Sequence, residues 1–296
     1  MRDTSNHAAA ATRQGSVRLD LADLPPRQEC SVVVQTGVRI GGVRYDTSTQ
    51  LVVRKTRQQV TLQGWVVELA TLDVVQDPTT ELEELAGYLA QVKDRLVVEV
   101  DFTGQLRRIA NKEELQAKWA ALKPTLQEKY RTSTEITPRL LDQMGQVLHG
   151  DGQLEAMLRQ APEYRLLFPP LFQQHYRTAA SLPGTALIKG FLGELDLAVV
   201  TEARLAEPPA ADGACTVQVV GWVDPAQYPA AGVRQAVRAI TDRFDVDPTL
   251  NLLYRETYAL GPAPYRGVQH AACYTRYEVP GVVGREVTAL LTTLTD

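Results

Sequence analysis

Residues 30–55 read CSVVVQTGVRIGGVRYDTSTQLVVRK, two runs rich in β-branched residues joined by Gly41-Gly42. Glycine adopts the positive φ angles of a tight turn at no steric cost, so this stretch predicts a β-hairpin. A third β-rich run, VTLQGWVVELATLDVV, follows at residues 60–75. The three runs together predict an antiparallel meander in the first part of the chain.

The sequence pattern changes to that of helices between residues 79 and 177. In ELEELAGYLAQVK, residues 81–93, apolar residues recur at spacings of three, four and three, which places them on one face of a helix. Further amphipathic stretches follow. We expect Pro124 to kink or end the one that begins near residue 112, because proline removes a backbone donor. The middle of the chain is therefore predicted to be mostly helical, with one inserted hairpin.

That hairpin lies in VEVDFTGQLRRIANKEELQAKW, residues 98–119, where charged and polar residues crowd together. Asp101 and Gly104 are typical of a hairpin turn. Asn111 occupies the position of a helix N-cap, and Glu114 lies three residues further on, an Asn version of the capping box. Each of these residues has a structural role, so the stretch predicts structure rather than chemistry.

The order of residues in 101–119 resembles a pattern in uncharacterised β-rich bacterial proteins, some of them associated with the cell envelope. In such proteins a long antiparallel sheet curls around helices, and the resemblance implies a similar sheet here. It implies no activity, cofactor or catalytic residue. Such proteins often carry an export signal, and the N-terminal MRDTSNHAAAATRQGS lacks the apolar core of one.

The β character returns after residue 184 and continues to the end of the sequence. We therefore predict an α+β fold in which antiparallel, curved β-sheets from the N- and C-terminal parts pack against a central helical segment. Residues 1–27 are expected to form a flexible lead-in, and residues 28–296 a single body. An alternative divides this body into two related halves, 28–110 and 184–296, which flank a helical middle at 111–183.

The hypothesis of two halves depends on a short match between two predicted strands. Gly64-Trp65-Val66 lies in a predicted strand that is followed by a helix and then a hairpin. The predicted strand with Gly-Trp-Val at 221–223 is followed by the same elements. Chance similarity between two strands explains three residues equally well. Superposition of the two segments would decide between these explanations.

Composition excludes several classes of protein. The 31 basic and 35 acidic residues give a net charge of −4 with no basic stripe, so nucleic acid is not expected as a partner. No apolar run has the length of a membrane span. The three cysteines are far apart in sequence and indicate a reducing compartment. We therefore predict a cytoplasmic protein, or an envelope protein if a native leader is missing from the sequence.

Common catalytic and metal-binding signatures do not occur in the sequence, so no catalytic residue, metal or cofactor is predicted. His270 and Cys273 are three residues apart in a predicted strand, which directs their side chains to opposite faces. The fragment HGDGQLE at 149–155 resembles part of a calcium loop, but it lacks the alternating oxygen ligands that such a loop requires.

Four aromatic residues at uniform spacings of four are the candidate binding residues: Tyr164, Phe168, Phe172 and Tyr176. Core packing is the favoured explanation for them. The alternative is an exposed patch or pocket wall that contacts a protein partner or an apolar ligand.

Three functions remain open at this point. The first is a non-enzymatic protein-binding or assembly protein that recognises a partner, or a second copy of itself, through its sheet or residues 164–176. The second is a carrier of a small apolar ligand or lipid, which predicts a sizeable dry cavity. The third is an unrecognised hydrolase or isomerase, which requires a cleft with converging polar groups.

Overall fold

The structure is a computed structural model that describes residues 15–294, with the exception of Asp77, Thr79, Glu194 and residues 243–248. Within these residues the chain forms thirteen strands and six α-helices. The strands are β1 (Ser16–Leu19), β2 (Arg27–Ile40), β3 (Val43–Thr61), β4 (Gly64–Gln76), β5 (Arg95–Asp101), β6 (Leu106–Ile109), β7 (Gln174–Arg177), β8 (Leu182–Phe191), β9 (Leu195–Leu205), β10 (Cys215–Val223), β11 (Asn251–Leu260), β12 (Val268–Val279) and β13 (Val283–Leu294). The helices are α1 (Glu81–Val92), α2 (Lys112–Lys129), α3 (Pro138–His149), α4 (Gln153–Gln160), α5 (Pro162–Leu167) and α6 (Ala230–Thr241).

The fold is mainly β, so the predicted α+β class is wrong. Strands account for 48% of the structure and helices for 26%. Within the described residues, eleven strands form one antiparallel sheet in the order β6-β5-β4-β3-β2-β13-β12-β11-β10-β9-β8. The prediction gave the helical middle too much weight, whereas the pairing of β2 with β13 unites the strands of both ends of the chain in one sheet that dominates the fold.

The N-terminal hairpin forms as predicted. β2 and β3 are connected by Gly41 and Gly42, whose φ angles of 55° and 91° are those that favour glycine. The hairpin is long, since the pairing runs from Arg27 opposite Thr56 to Ile40 opposite Val43. This hairpin supplies the central strands to which both ends of the sheet attach.

The two faces of the sheet differ in what covers them. One face carries Val32, Tyr258 and Ala289, which are fully buried, and the helices pack against this helix-covered face. The opposite face carries Trp222, Leu253 and Leu290, which are 43%, 40% and 48% exposed; we call it the bare face. The described core therefore lies between the eleven-stranded sheet and the helices, and residues of a two-stranded sheet, β1 with β7, also belong to it.

Residues 15–27, which the sequence analysis assigned to a flexible lead-in, contain ordered structure. β1 pairs antiparallel with β7, and Leu19 of β1 is fully buried. A short 3-10 turn follows at Leu21–Asp23, and Leu21 is also buried. The rest of the predicted lead-in, residues 1–14, lies outside the described residues.

The helical middle follows the predicted boundaries closely, with one correction at Pro124. α1 begins with a capping box in which Thr80 and Glu83 bond each other's backbone amides. α2 continues through Pro124 to Lys129 instead of ending or breaking there. Trp119 and Leu126, on either side of the proline, are 2% and 0% exposed, and this burial offsets the lost backbone bond.

The stretch at 98–119 has the predicted structural role, but Asn111 acts differently. Asp101 Oδ1 accepts hydrogen bonds from the amides of Thr103 (2.9 Å) and Gln105 (3.1 Å), which fixes the hairpin turn. Asn111 precedes α2 but does not cap it with its side chain. Its Oδ1 accepts from the Val97 amide at 2.8 Å, so it satisfies the edge of β5 instead.

The two proposed halves share their connectivity. β3, β4, α1 and β5 follow one another with antiparallel neighbours, and β9, β10, α6 and β11 do the same. Gly64 opens β4, whereas Gly221 lies near the end of β10. Their superposition remains a prediction.

Candidate functional site

The predicted aromatic residues lie in the core. Phe168, Phe172 and Tyr176 are 5%, 2% and 1% exposed, and Tyr164 is half-buried against the same cluster. Tyr176 also donates a hydrogen bond from its hydroxyl to the carbonyl of Leu171 at 3.0 Å. This placement is what core packing predicts. A binding role for these residues remains a prediction, and a partner would reach the three buried rings only after the segment moved.

Two lysines hold the segment that contains these aromatic residues. Lys55 Nζ donates to the carbonyl of Leu167 at 3.1 Å and lies 5.6 Å from the centre of the Phe168 ring. Lys93 Nζ lies 5.9 Å from the centre of the Tyr164 ring. Burial lowers the pKa of both lysines. Lys55 thus holds the C-terminal end of α5 through the carbonyl of Leu167 and the ring of Phe168.

A buried polar network holds α5 against the sheet. Glu256 of β11 is 2% exposed, and Arg165 of α5 donates from Nε to its Oε1. The hydroxyls of Tyr254 and Tyr258 also donate to the Glu256 carboxylate, the second at 2.9 Å to Oε2. Burial, followed by the nearby carboxylate, raises the pKa of both tyrosines. The network therefore positions α5 at a fixed place on the helix-covered face.

An open cleft with a volume of about 820 Å³ lies beside α5, between the helices α4 and α5 and strand β8. The end of α4 and the start of α5 form one wall, and residues 185–189 of β8 form the other. The helix-covered face provides the floor. Its floor residues are Val34, Thr36, Val199, Tyr254, Cys273, Thr275, Tyr277, Arg285 and Val287.

The size and lining of this cleft suit a small molecule. Pockets that bind small molecules usually have volumes of about 300–1,000 Å³ and are mostly apolar with a few polar groups. Met157, on the helical wall, is 45% exposed, and Ala186 and Ile188 of β8 share the face of the floor. Burial of these side chains by a ligand would remove apolar surface from water and stabilise the complex.

The cations of the cleft differ in how they are compensated. Arg165 pairs with Glu256, and Lys189 pairs with Asp196. Arg159 donates to the carbonyls of Leu106 and Arg107 at 3.4 Å each. Arg285 differs from these three, because its buried Nε has no hydrogen-bond partner in the described part of the chain.

The predicted separation of His270 and Cys273 is confirmed. His270 is exposed, whereas Cys273 is 4% exposed in the floor of the cleft. Burial, and then the Glu256 carboxylate, raises the pKa of the Cys273 thiol to about 12. A thiol with this pKa is protonated at neutral pH and is a poor nucleophile. In the described ranges, no cluster of three or more His, Cys, Asp or Glu side chains is placed to hold a metal ion.

Sequence reasoning missed Glu256 and Arg285. A usable signal was present for the first, because Tyr254, Glu256 and Tyr258 alternate along one strand and must share a face. An acidic residue between two tyrosines on a buried face requires a partner of opposite charge. Nothing comparable marks Arg285, since β2, one of the two strands beside it, is distant from it in sequence.

Comparisons with known proteins identify no family. No protein-family model and no curated protein matches the chain. The solved structure "Lipid-protein interactions in lipovitellin" aligns with 92% of this chain at 10% identity and a TM-score of 0.48. This chain spans 25% of the length of that lipovitellin chain. Likeness at this level carries no argument about function.

The described helices include none that is both long and apolar enough to cross a membrane.

Proposed function

We propose that the protein is a carrier that holds a small amphipathic molecule in the open cleft beside α5. The observation that carries this proposal is the cleft itself, a space of about 820 Å³ on the helix-covered face of the sheet. Val34, Val199 and Val287 give its floor an apolar character. The carrier hypothesis expected a dry, enclosed cavity. An open cleft with charged residues instead favours a ligand that has both an apolar and a polar part.

Two variants in one strand test the proposal. Val287 lies in the floor of the cleft, and its neighbour Thr288 points to the bare face because side chains alternate along a strand. Val287→Trp fills the cleft, whereas Thr288→Trp adds the same ring on the opposite face. The probe is dodecanol, an uncharged amphiphile, measured by displacement of Nile red.

We expect wild type to bind dodecanol and the Val287→Trp variant to bind it about tenfold or more weakly, a change of about 1.4 kcal/mol. Thr288→Trp should bind as wild type does. Equal affinities for the two variants would contradict the carrier function, and so would the failure of dodecanol and of its acidic analogues alike to bind wild type. Circular dichroism checks that both variants fold.

The bare face favours a second candidate, a protein that binds a partner or a second copy through its sheet. Trp222, Leu253 and Leu290 place large apolar side chains on this face at 40% exposure or more. Sedimentation at micromolar concentration tests the self-association form of this proposal. Leu253→Lys with Leu290→Lys should convert any oligomer to monomer, and an oligomer that persists in the double variant would contradict it.

A further inference from the structure

Arg285 occupies an unusual position in the sheet. It lies on β13 between Tyr277 of β12 and Val38 of β2, so its side chain shares the helix-covered face with them. It lines the open cleft and also a smaller neighbouring pocket of about 180 Å³. Within the described residues its guanidinium forms no ion pair, and its buried Nε has no hydrogen-bond partner.

The carboxylates closest to Arg285 in the strand register are engaged elsewhere, on the bare face. Glu286 accepts a hydrogen bond from the hydroxyl of Tyr274 at 3.0 Å. Glu278 pairs with Arg39 and with Arg276. Side chains alternate along each strand, so these acids point away from the face that carries Arg285.

The acidic side chains that line the cleft also have other partners. Asp224 accepts from the Ala226 amide and from Gln227 Nε2, each at 2.9 Å. Glu163, at the start of α5, interacts electrostatically with Lys93. Of the guanidiniums in the described part of the cleft, Arg159 and Arg285 have no carboxylate partner, and Arg285 differs from Arg159 because its buried Nε also lacks a hydrogen-bond partner.

An unpaired, partly desolvated cation is unfavourable unless an anion binds to it. A guanidinium has five donors in a planar fork that matches carboxylate and phosphate oxygens. Next to Arg285, the floor continues with Val287 on the same strand, Thr36 on β2 and Thr275 on β12. The site thus places an anion-binding group at one part of a largely uncharged floor.

We propose that the ligand of the cleft is an aliphatic chain with an acidic head group, a carboxylate or a phosphate monoester, and that Arg285 binds the head group. This inference rests on the proposed carrier function. The chain lies along the floor between α5 and β8, and the head group supplies the counter-charge that the protein does not. Arg285 is in this way a determinant of specificity between charged and uncharged amphiphiles.

The test compares three probes with the same chain: dodecanoate, dodecyl phosphate and dodecanol, each titrated calorimetrically below its micelle concentration. Arg285→Met removes the cation and keeps much of the side-chain length. Arg276→Met is the matched control, because Arg276 lines the smaller pocket but not the cleft. Arg285→Lys keeps the charge without the planar fork and serves as the conservative variant.

In wild type we expect at least one acidic probe to bind tenfold or more tightly than dodecanol. Arg285→Met should abolish this preference without changing the dodecanol affinity, while Arg276→Met retains it and Arg285→Lys retains part of it. A preference for dodecanoate over dodecyl phosphate, or the reverse, identifies the head group.

The outcomes separate this inference from the carrier function. If dodecanol binds in the cleft as tightly as both acidic probes, or if Arg285→Met keeps the preference, the role of Arg285 is wrong and the carrier function stands. If none of the three probes binds wild type, both proposals are wrong. Should Arg285→Met fail to fold, the result for Arg285→Lys decides, because unchanged selectivity in a variant without the planar fork would overturn bidentate recognition.

Discussion

Arg165 Nε donates to Glu256 Oε1, which joins the six-residue helix α5 to strand β11 of the eleven-stranded sheet. The carboxylate is 2% exposed, and two tyrosine hydroxyls complete its hydrogen bonds. Removal of one member of a buried ion pair leaves the other without compensation, which typically costs about 3–5 kcal/mol.

We therefore expect Glu256→Gln to lower the free energy of unfolding by about 3 kcal/mol or more, measured by urea denaturation. The control is Glu128→Gln, since Glu128 and Arg131 form a pair that is 76% and 74% exposed. This control should change stability by less than about 1 kcal/mol. A change at Glu256 as small as that at Glu128 would show that the network does not hold α5.

Phe172 is expected to act through packing. It is 2% exposed, and truncation of a buried phenylalanine typically costs about 3–5 kcal/mol through lost burial and the resulting cavity. Phe172→Ala should lower the thermal midpoint of unfolding markedly. Phe102→Ala removes a ring that is 42% exposed and should have a much smaller effect. Equal midpoints for the two variants would place Phe172 outside the core.

Gly64 is required where β4 begins. Its φ is +145°, and a Cβ at this position would lie 1.9 Å from the carbonyl oxygen of Val100 on the adjacent strand. Gly64→Ala therefore forces the backbone of β4 or β5 to move, and we expect a loss of about 3 kcal/mol or more in unfolding free energy.

Gly87 provides a control position, where the same substitution is expected to raise the free energy of unfolding instead of lowering it. It lies inside α1, and a Cβ there would meet nothing within 4 Å. Gly87→Ala should stabilise the protein by about 0.5–1 kcal/mol, because alanine loses less conformational entropy in a helix. Destabilisation by Gly87→Ala, or tolerance of Gly64→Ala, in chemical denaturation would contradict these packing assignments.

Lys55 should make stability depend on pH in the alkaline range. Burial lowers its pKa in the folded state below the ordinary value of 10.5, so the unfolded state binds more protons between the two values. Stability due to this group therefore rises with pH from the folded pKa up to about 10.5. Relative to Lys55→Met, wild type should become more stable across this range. Parallel stability curves for wild type and Lys55→Met across this range would contradict the burial of the Lys55 ammonium.

Local structure was largely predictable from the sequence. The two glycines at the β2–β3 turn and the alternating runs of β11 to β13 identified strands that the structure confirms. Two local errors arose from tertiary contacts. Asn111 satisfies the edge of β5 instead of capping α2, and packing carries α2 through Pro124. Both choices depend on neighbours that sequence spacing does not reveal.

Longer-range features were not predictable. The fold class was wrong because strands outweigh helices in the structure. The pairing of β2 with β13, which unites these strands in one sheet, joins residues that are distant in sequence and that no local pattern marks as partners. The core role of Phe168 and Phe172 was the favoured interpretation. The cleft was not foreseen, because its floor combines residues of β2 with residues of β9, β11, β12 and β13, which lie at the other end of the chain.

The pairing of β2 with β13 also determines how the protein can be made. Ser31 of β2 pairs with Thr292 of β13. Almost the whole chain must therefore be synthesised before β2 can pair with its second neighbouring strand. Non-local pairing of this kind slows folding, and an unpaired apolar strand edge invites association with other chains. During synthesis on the ribosome, the edge of β2 is therefore the part of the nascent chain that most needs protection, and a chaperone that binds extended apolar segments would find it there.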